Sequence, residues 1–483
     1  MITNADDLPR DSVQRAEVAV VGAGAAGITI ARALGERGVS VMLLESGGFE
    51  PDEPTTALGN MASSGEEYLV GLTRLRYFGG TTNHWAGFCR PLDPLAYEAR
   101  SWVPQSGWPF GPEELAPWYD AAAGVLQFGE SAVGPDAWSQ RLEPLLETDT
   151  VTSVLWRISP TRFGEVYRDE LASSEQVTVV LGANAVELRS PPDGSSVDEI
   201  RVATLAGNAW TVVADAVVLA TGGLEVPRLL LASRGSRPEG LGNGNDLVGR
   251  FFMDHYNVPL GTLALAEEVE PDSYVFGIGR TDAIERDGER FLAGLTLTDD
   301  VQREERLLGA NVTLNEISEP PEGSDAVAAL VGDVTHRGRG RLYELHGRVE
   351  PTPNPESRVT LTDRTDALGV PVADLHWAFD PADAASLLRT TEILARELGR
   401  AELGRIHVPE PPEFLWESHH LGTARMDPDP ARGVVDENCR IHGVANCYVA
   451  GSAVFPTAGH ANPTLTIVAL ALRLAETLAP ADG

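Results

Sequence analysis

Gly22, Gly24 and Gly27, in the string Gly22-Ala23-Gly24-Ala25-Ala26-Gly27, mark a turn from an apolar β-type run (residues 18–21) into a helical pattern (residues 28 to about 37). At this spacing each glycine has its own task. Gly22 permits the tight turn, Gly24 lets the backbone approach a pyrophosphate, and Gly27 lets helix and strand pack closely. Ala25 and Ala26 complete the helix start, where unpaired N–H groups and the positive end of the helix dipole favour an anion. A second apolar run (residues 39–44) closes on Glu45, followed by Ser46. That carboxylate is placed to accept hydrogen bonds from a ribose hydroxyl, and it would repel a ribose phosphate, which disfavours NADP. The unit predicts dinucleotide binding; by itself it does not separate FAD from NAD.

The elements that must position this turn come from a chain of 483 residues, long enough for more than one domain. Every basic residue is arginine, and the net charge of −34 makes nucleic acid and anionic membrane surfaces poor partners. The acidity fits solubility and arginine-favouring codon usage; it would also steer a cationic substrate. Cys89, Cys439 and Cys447 have neither metal-ligand spacing nor a disulfide framework, and they fit a reducing compartment. Residues 1–18 lack the apolar core of a signal peptide and no run reaches transmembrane length, so the expected location is cytoplasmic.

The pattern predicts an α/β fold. Residues 216–222 form an apolar run ending in glycine, suited to a buried parallel strand that returns to the dinucleotide sheet. From about residue 256 the texture changes to antiparallel-type runs (291–297, 310–314, 341–349, 358–361), separated by acidic loops at 319–325 and 351–356. Asp380-Pro381 caps an amphipathic helix (residues 382–398). Glycine-rich, buried character returns from residue 417 and ends in a helix at 463–478. The expected organisation is a split dinucleotide domain (15–255 and 415–483) with an α+β domain containing an antiparallel sheet inserted at 256–414.

Four strings, GGTTNHWAG (79–87), ATGGLEVPRLLL (220–231), HHLGTARM (419–426) and YVAGSAVFPTAGHANPTLTIVALA (448–471), together with the N-terminal fingerprint, resemble the glucose–methanol–choline (GMC) oxidoreductase family of flavoproteins. The likeness runs along the whole chain in order. It implies FAD, a Rossmann-like FAD domain split in sequence and an inserted substrate domain. Gly79-Gly80-x-x-x-His84-Trp85 is most similar to the sugar-oxidising branch with pyranose oxidases and bacterial sugar dehydrogenases. In pyranose oxidases the matching histidine carries a covalent flavin bond, and relatives with a similar string hold FAD without it, so His84 is open to that bond, to contact with the flavin edge or to packing beside Trp85. The resemblance further implies flavin contacts at Gly79, Gly80, Thr81, Asn83 and Trp85, adenine contacts along Ala185 and Val186, and a cofactor loop at Ala220, Thr221 and Gly222. The chain carries Gly451-Ser452 where many flavoproteins have Gly-Asp for the ribityl chain, so Ser452 or backbone N–H groups must serve there.

Oxidising an alcohol with a flavin needs a base for the hydroxyl proton, within hydrogen-bond reach and unprotonated at working pH; histidine suits it. The family pattern H-x-x-G-T-x-x-M falls on His419, Gly422, Thr423 and Met426, which makes His419 the implied base and leaves His420 structural or lining the pocket. Its implied partner is Asn462, with His460 as a rival. Locally, Asn462-Pro463 also reads as an N-cap followed by an N1 proline. A helix from Pro463 and Thr464 that aims its N-terminus at the flavin would stabilise negative charge there. Trp85, Trp102 and Trp108 are candidates for stacking on a sugar ring or for the core. The expected activity is oxidation of an alcohol on a sugar or glycoside, with oxygen or another electron acceptor, and no metal. The alternatives are an aminoglycoside or other natural-product glycoside as substrate, and a lyase that keeps FAD as structure.

Overall fold

The computed structural model describes residues 1–128, 144–235, 237–266, 269–276, 285–286, 289–317, 340–408 and 413–479; the expected loop at 319–325 lies outside them. Among the described residues, strands form sheets of eight, nine and three.

The eight-stranded sheet is built around Val13–Val21, whose C-terminal half is fully apolar and buried. It pairs in parallel with Val41–Glu45 on one side and with Ala209–Leu219 on the other. Val177–Leu181 extends the first side and Ile2–Asn4 closes it. The long strand Ala209–Leu219 divides its far edge. Residues 209–212 take an antiparallel meander of Glu199–Ala203 and Asn184–Arg189, and residues 217–219 take Cys447–Val449 in parallel. The apolar run expected at 216–222 is therefore the C-terminal part of a longer strand that begins at Ala209. The helix Ala25–Glu36 starts where strand order reverses, the place where open α/β sheets bind ligands. It packs on Thr464–Leu478, which packs in turn on Pro112–Val125.

The nine-stranded sheet is antiparallel, in the order Gly404–His407, Tyr256–Ala266, Gly340–Val349, Ala310–Glu316, Glu289–Leu297, Val151–Ile158 and Phe88–Cys89, with Glu285–Arg286 and Leu415–Trp416 alongside. It thus reaches across residue 256 to take Phe88–Cys89 and Val151–Ile158 from the earlier part of the chain. Along Gly340–Val349, Tyr343, Leu345 and Val349 are buried, whereas Glu344, His346 and Arg348 share the half-buried opposite face. Pro381–Arg400 lies behind this sheet, with the Asp380 side chain accepting from Ala382 N at 2.9 Å. Among the described residues no helix is long and apolar enough to cross a membrane.

Candidate active site

The glycines of the fingerprint meet the spatial limits expected of them. A Cβ on Gly27 would lie 1.8 Å from the Gly22 carbonyl oxygen, and one on Gly22 would lie 2.7 Å from Ala220 O, so the helix start and the loop at Ala220 close on the turn. A Cβ on Gly24 would meet nothing within 4 Å. Gly24 therefore leaves room beside an uncapped helix N-terminus rather than relieving a clash within the chain. Gly80 closes on the same spot, its Cβ position 3.3 Å from Gly24 Cα. Glu45 is buried, and its carboxyl is pushed up by burial; its oxygens accept from Ala23 N and Gly47 N, both at 2.9 Å. The carboxylate thus ties the turn to the next loop, and a second lone pair on each oxygen remains for a ribose hydroxyl. Ala185 and Val186 lie at a register shift, where Val186 has no opposite residue on the neighbouring strand. Thr221 Oγ1 is buried without a hydrogen-bond partner beside Gly222, at φ +82°. An open glycine, a bulged strand and an orphaned hydroxyl fit a dinucleotide cofactor.

Other expected cofactor residues are engaged within the protein. Asn83 bridges Phe78 O and Gly164 N, both at 2.8 Å, and Thr81 Oγ1 accepts from Leu75 N at 3.2 Å, which leaves the Thr81 hydroxyl proton and a second Asn83 N–H free to donate. Ser452 Oγ donates to His420 O at 2.6 Å and keeps its lone pairs to accept. His84 is exposed, 6.0 Å from the Tyr77 ring, and Trp85 donates to Thr161 O at 2.8 Å. Trp102 and Trp108 donate to Leu307 O and Thr457 O; Trp108 also packs on Tyr97 and Phe455.

His419 and Asn462 are brought together: Asn462 Nδ2 lies 3.5 Å from His419 Nε2. Two chain crossings place them. The first is a short antiparallel bridge between Met253 and Leu421, entered on each side by a left-handed residue, Phe251 (φ +61°) and Ser418 (φ +69°). Such strain at a bulky residue persists only where the surroundings fix it. Here Gly422 lets the chain meet the Phe251 carbonyl, Thr423 bonds to Gly223 O at 2.6 Å, and Asp254 accepts from Ser418 N and His419 N at 2.9 and 2.7 Å. Burial pushes the Asp254 carboxyl up to about 7 even with these donors and Tyr68 OH on it. The second crossing is the loop before Thr464–Leu478. Pro463 already has helical angles and no side-chain cap, and Asn462 stands one residue further out. Its side chain is thus not the N-cap expected from the sequence; Asn462 Oδ1 accepts from Arg348 Nη1 at 3.1 Å.

Arg348 and Glu417 were missed as site residues in the sequence, as was His255. Arg348 Nε and Nη2 lie 2.9 and 2.7 Å from Glu417 Oε2, and Glu417 lies 3.9 Å from His419 Nδ1. His255 Nδ1 lies 2.9 Å from His419 Nδ1. The local signals were an arginine at an alternating strand position and an Asp-His pair inside an apolar run. Burial, then the Arg348 charge and His420, hold His419 well below the ordinary histidine range. Burial, then His419 and Arg348, do the same to His255. His420 reaches Thr73 Oγ1 at 3.0 Å and is pushed down to about 3, chiefly by burial and then by Arg74. His460 is engaged elsewhere, 2.8 Å from Asp93 Oδ2 and 2.9 Å from Asn311 Nδ2.

This fold and site define an FAD-dependent oxidoreductase. The FAD dependent oxidoreductase model matches residues 17–239 and the C-terminal GMC oxidoreductase model matches residues 353–471. The chain is 28% identical to paromamine 6'-oxidase of Streptomyces fradiae, over 97% of this chain and 92% of that one. It is 29% identical to the fructose dehydrogenase large subunit of Gluconobacter japonicus, over 55% and 47%. Among solved structures, the formate oxidase of Aspergillus oryzae superposes with a TM-score of 0.58 at 18% identity, over 98% of this chain and 99% of that one. The chain belongs to the GMC oxidoreductase family, and it is an FAD-dependent enzyme acting on alcohol groups.

Proposed function

We propose that the enzyme oxidises a secondary or primary alcohol of a sugar or sugar glycoside, with His419 as the base and Asn462 orienting the hydroxyl. The observation that carries this reading is the facing pair itself, His419 Nε2 and Asn462 Nδ2, at the mouth of an apolar buried helix. Arg348 donates to Asn462 Oδ1, so the amide must present its NH2 group to His419 and to an incoming oxygen. A neutral imidazole in the physiological range suits proton abstraction. Bound FAD supplies the hydride acceptor. On this reading, residues 15–255 and 415–483 hold FAD through Gly22, Gly24, Glu45, Val186, Thr221 and Gly451, and residues 256–414 supply the substrate face. The polar side chains Glu344, His346 and Arg348 on that face, and relatives acting on paromamine and fructose, support a polyhydroxylated substrate.

Anaerobic addition of neutral sugars, glycosides and amino sugars tests the reading. Bleaching of the yellow flavin is expected with at least one class. Product formed with an unchanged flavin spectrum would instead mark a lyase. His419→Ala is expected to retain FAD and lose several orders of magnitude in flavin reduction; a near-normal rate would remove His419 from the base role.

A further inference from the structure

A base must present a lone pair, and an imidazole has two nitrogens of which only one is free in each neutral form. The surroundings of His419 decide which. His255 Nε2 lies 2.8 Å from the carbonyl oxygen of Gly459. A carbonyl only accepts, so His255 carries its proton on Nε2 and offers a lone pair at Nδ1. That lone pair faces His419 Nδ1 at 2.9 Å, so His419 carries its proton on Nδ1. The other end of the chain requires the same form. Arg348 only donates, its Nη1 fixes Asn462 Oδ1, and the remaining NH2 points at His419 Nε2, which must be unprotonated to receive it. Polarity therefore runs one way, from Arg348 through Asn462, His419 and His255 to Gly459, and both fixed ends agree. Gly459 is itself held, because Glu350, in a buried bidentate pair with Arg100, accepts from Gly459 N at 3.3 Å.

We propose that His255 is a positioning residue which, by accepting the Nδ1 proton of His419, fixes that imidazole with its Nε2 lone pair toward the substrate hydroxyl. This rests on His419 being the base. When the hydroxyl proton arrives on Nε2, the Nδ1–H bond to His255 persists, and the new cation lies beside Glu417. Burial disfavours charge on both rings, so the pair rests in the neutral state the chain requires. The charged or titratable groups around His419 are His255, Asp254, Glu417, Arg348 and His420.

The direct test is the nitrogen spectrum of the wild-type holoenzyme labelled with [15N]histidine at neutral pH. His419 is expected to show a protonated Nδ1 and a pyridine-type Nε2, and His255 the reverse; a protonated Nε2 on His419 overturns the proposal whether or not His419 is the base. Two variants give the functional arm, with FAD content and melting temperature as folding controls. His255→Leu removes the acceptor and should slow anaerobic flavin reduction about 10–100-fold, with KM within about threefold. His255→Asn puts an amide oxygen near the place of Nδ1 and should restore most of that rate. Equal losses in both variants, or a wild-type rate in the leucine variant, overturn it. The rate of His419→Ala reads the base assignment separately.

Discussion

Replacing Arg348 by methionine keeps a long apolar stem and removes one positive charge and one donor from the site. Two effects follow, and pH separates them. The charge now holds His419 down; without it, Glu417, 3.9 Å from His419 Nδ1, is uncompensated. Two unit charges about 4 Å apart interact by about 4 kcal/mol at an effective dielectric of about 20, and about 1.4 kcal/mol is one pKa unit, so the ceiling is about three units upward. His419 is 17% exposed, and solvent reduces this to a shift of about one to two units. The sign is fixed. The wild-type imidazole stays unprotonated well below pH 6.5, whereas that of Arg348→Met protonates nearer neutrality, so turnover falls as pH drops through the raised pKa. The lost hydrogen bond to Asn462 is independent of pH in this range and lowers the alkaline plateau by about tenfold, the size of one charge-assisted bond. The assay is stopped-flow flavin reduction from pH 5 to 9. Adding Glu417→Gln should return the acid limb toward that of the wild type without restoring the plateau. An acid limb at the wild-type position in Arg348→Met would refute the electrostatic argument.

Gly24→Ala and Gly27→Ala should part company. The first leaves the melting temperature of the apoprotein unchanged and weakens FAD binding, because its Cβ meets only open space; the second destabilises the apoprotein, because its Cβ meets Gly22 O at 1.8 Å, and calorimetry with and without FAD checks both. His420, pushed down to about 3, stays neutral in the fold and contributes stability that is present above pH 6.5 and lost as pH falls toward 3. His420→Gln should therefore lose about 1.4 kcal/mol less stability per pH unit between pH 6.5 and 5 than the wild type, measured by urea unfolding. If the net charge of −34 steers a cationic substrate, kcat/KM for an amino sugar should fall steeply with added salt while that for a neutral sugar stays flat; equal responses count against steering.

The cofactor half of the fold was legible because its constraints are local. Gly22 and Gly27 stand where backbone contact forbids any side chain, and an apolar run on either side leaves few other readings. The partners of the base were not legible. His255, just before the strand Tyr256–Ala266, and Arg348, on Gly340–Val349, sit in patterns that report only what is buried, and their meeting with His419 and Asn462 joins positions 164 and 114 residues apart. Asn462 shows the opposite failing. A cap before proline is a sound local expectation, but half-buried Arg348 offers its amide oxygen a charged donor, and Thr464–Leu478 starts from Pro463 with no side-chain cap. Asn83 shows how a partner far along the chain escapes the sequence: its side chain joins the peptides of Phe78 and Gly164, the latter 81 residues away.

The directional chain ending on the Gly459 carbonyl has a consequence for biosynthesis. His255 leaves the ribosome some two hundred residues before its acceptor. Until then the carbonyl that sets its tautomer does not exist, so on the proposed relay nothing yet fixes the orientation of His419. Competence thus arrives in one late step, so a polypeptide interrupted upstream of position 459 lacks a defined proton acceptor even if its nucleotide-binding half has already taken shape.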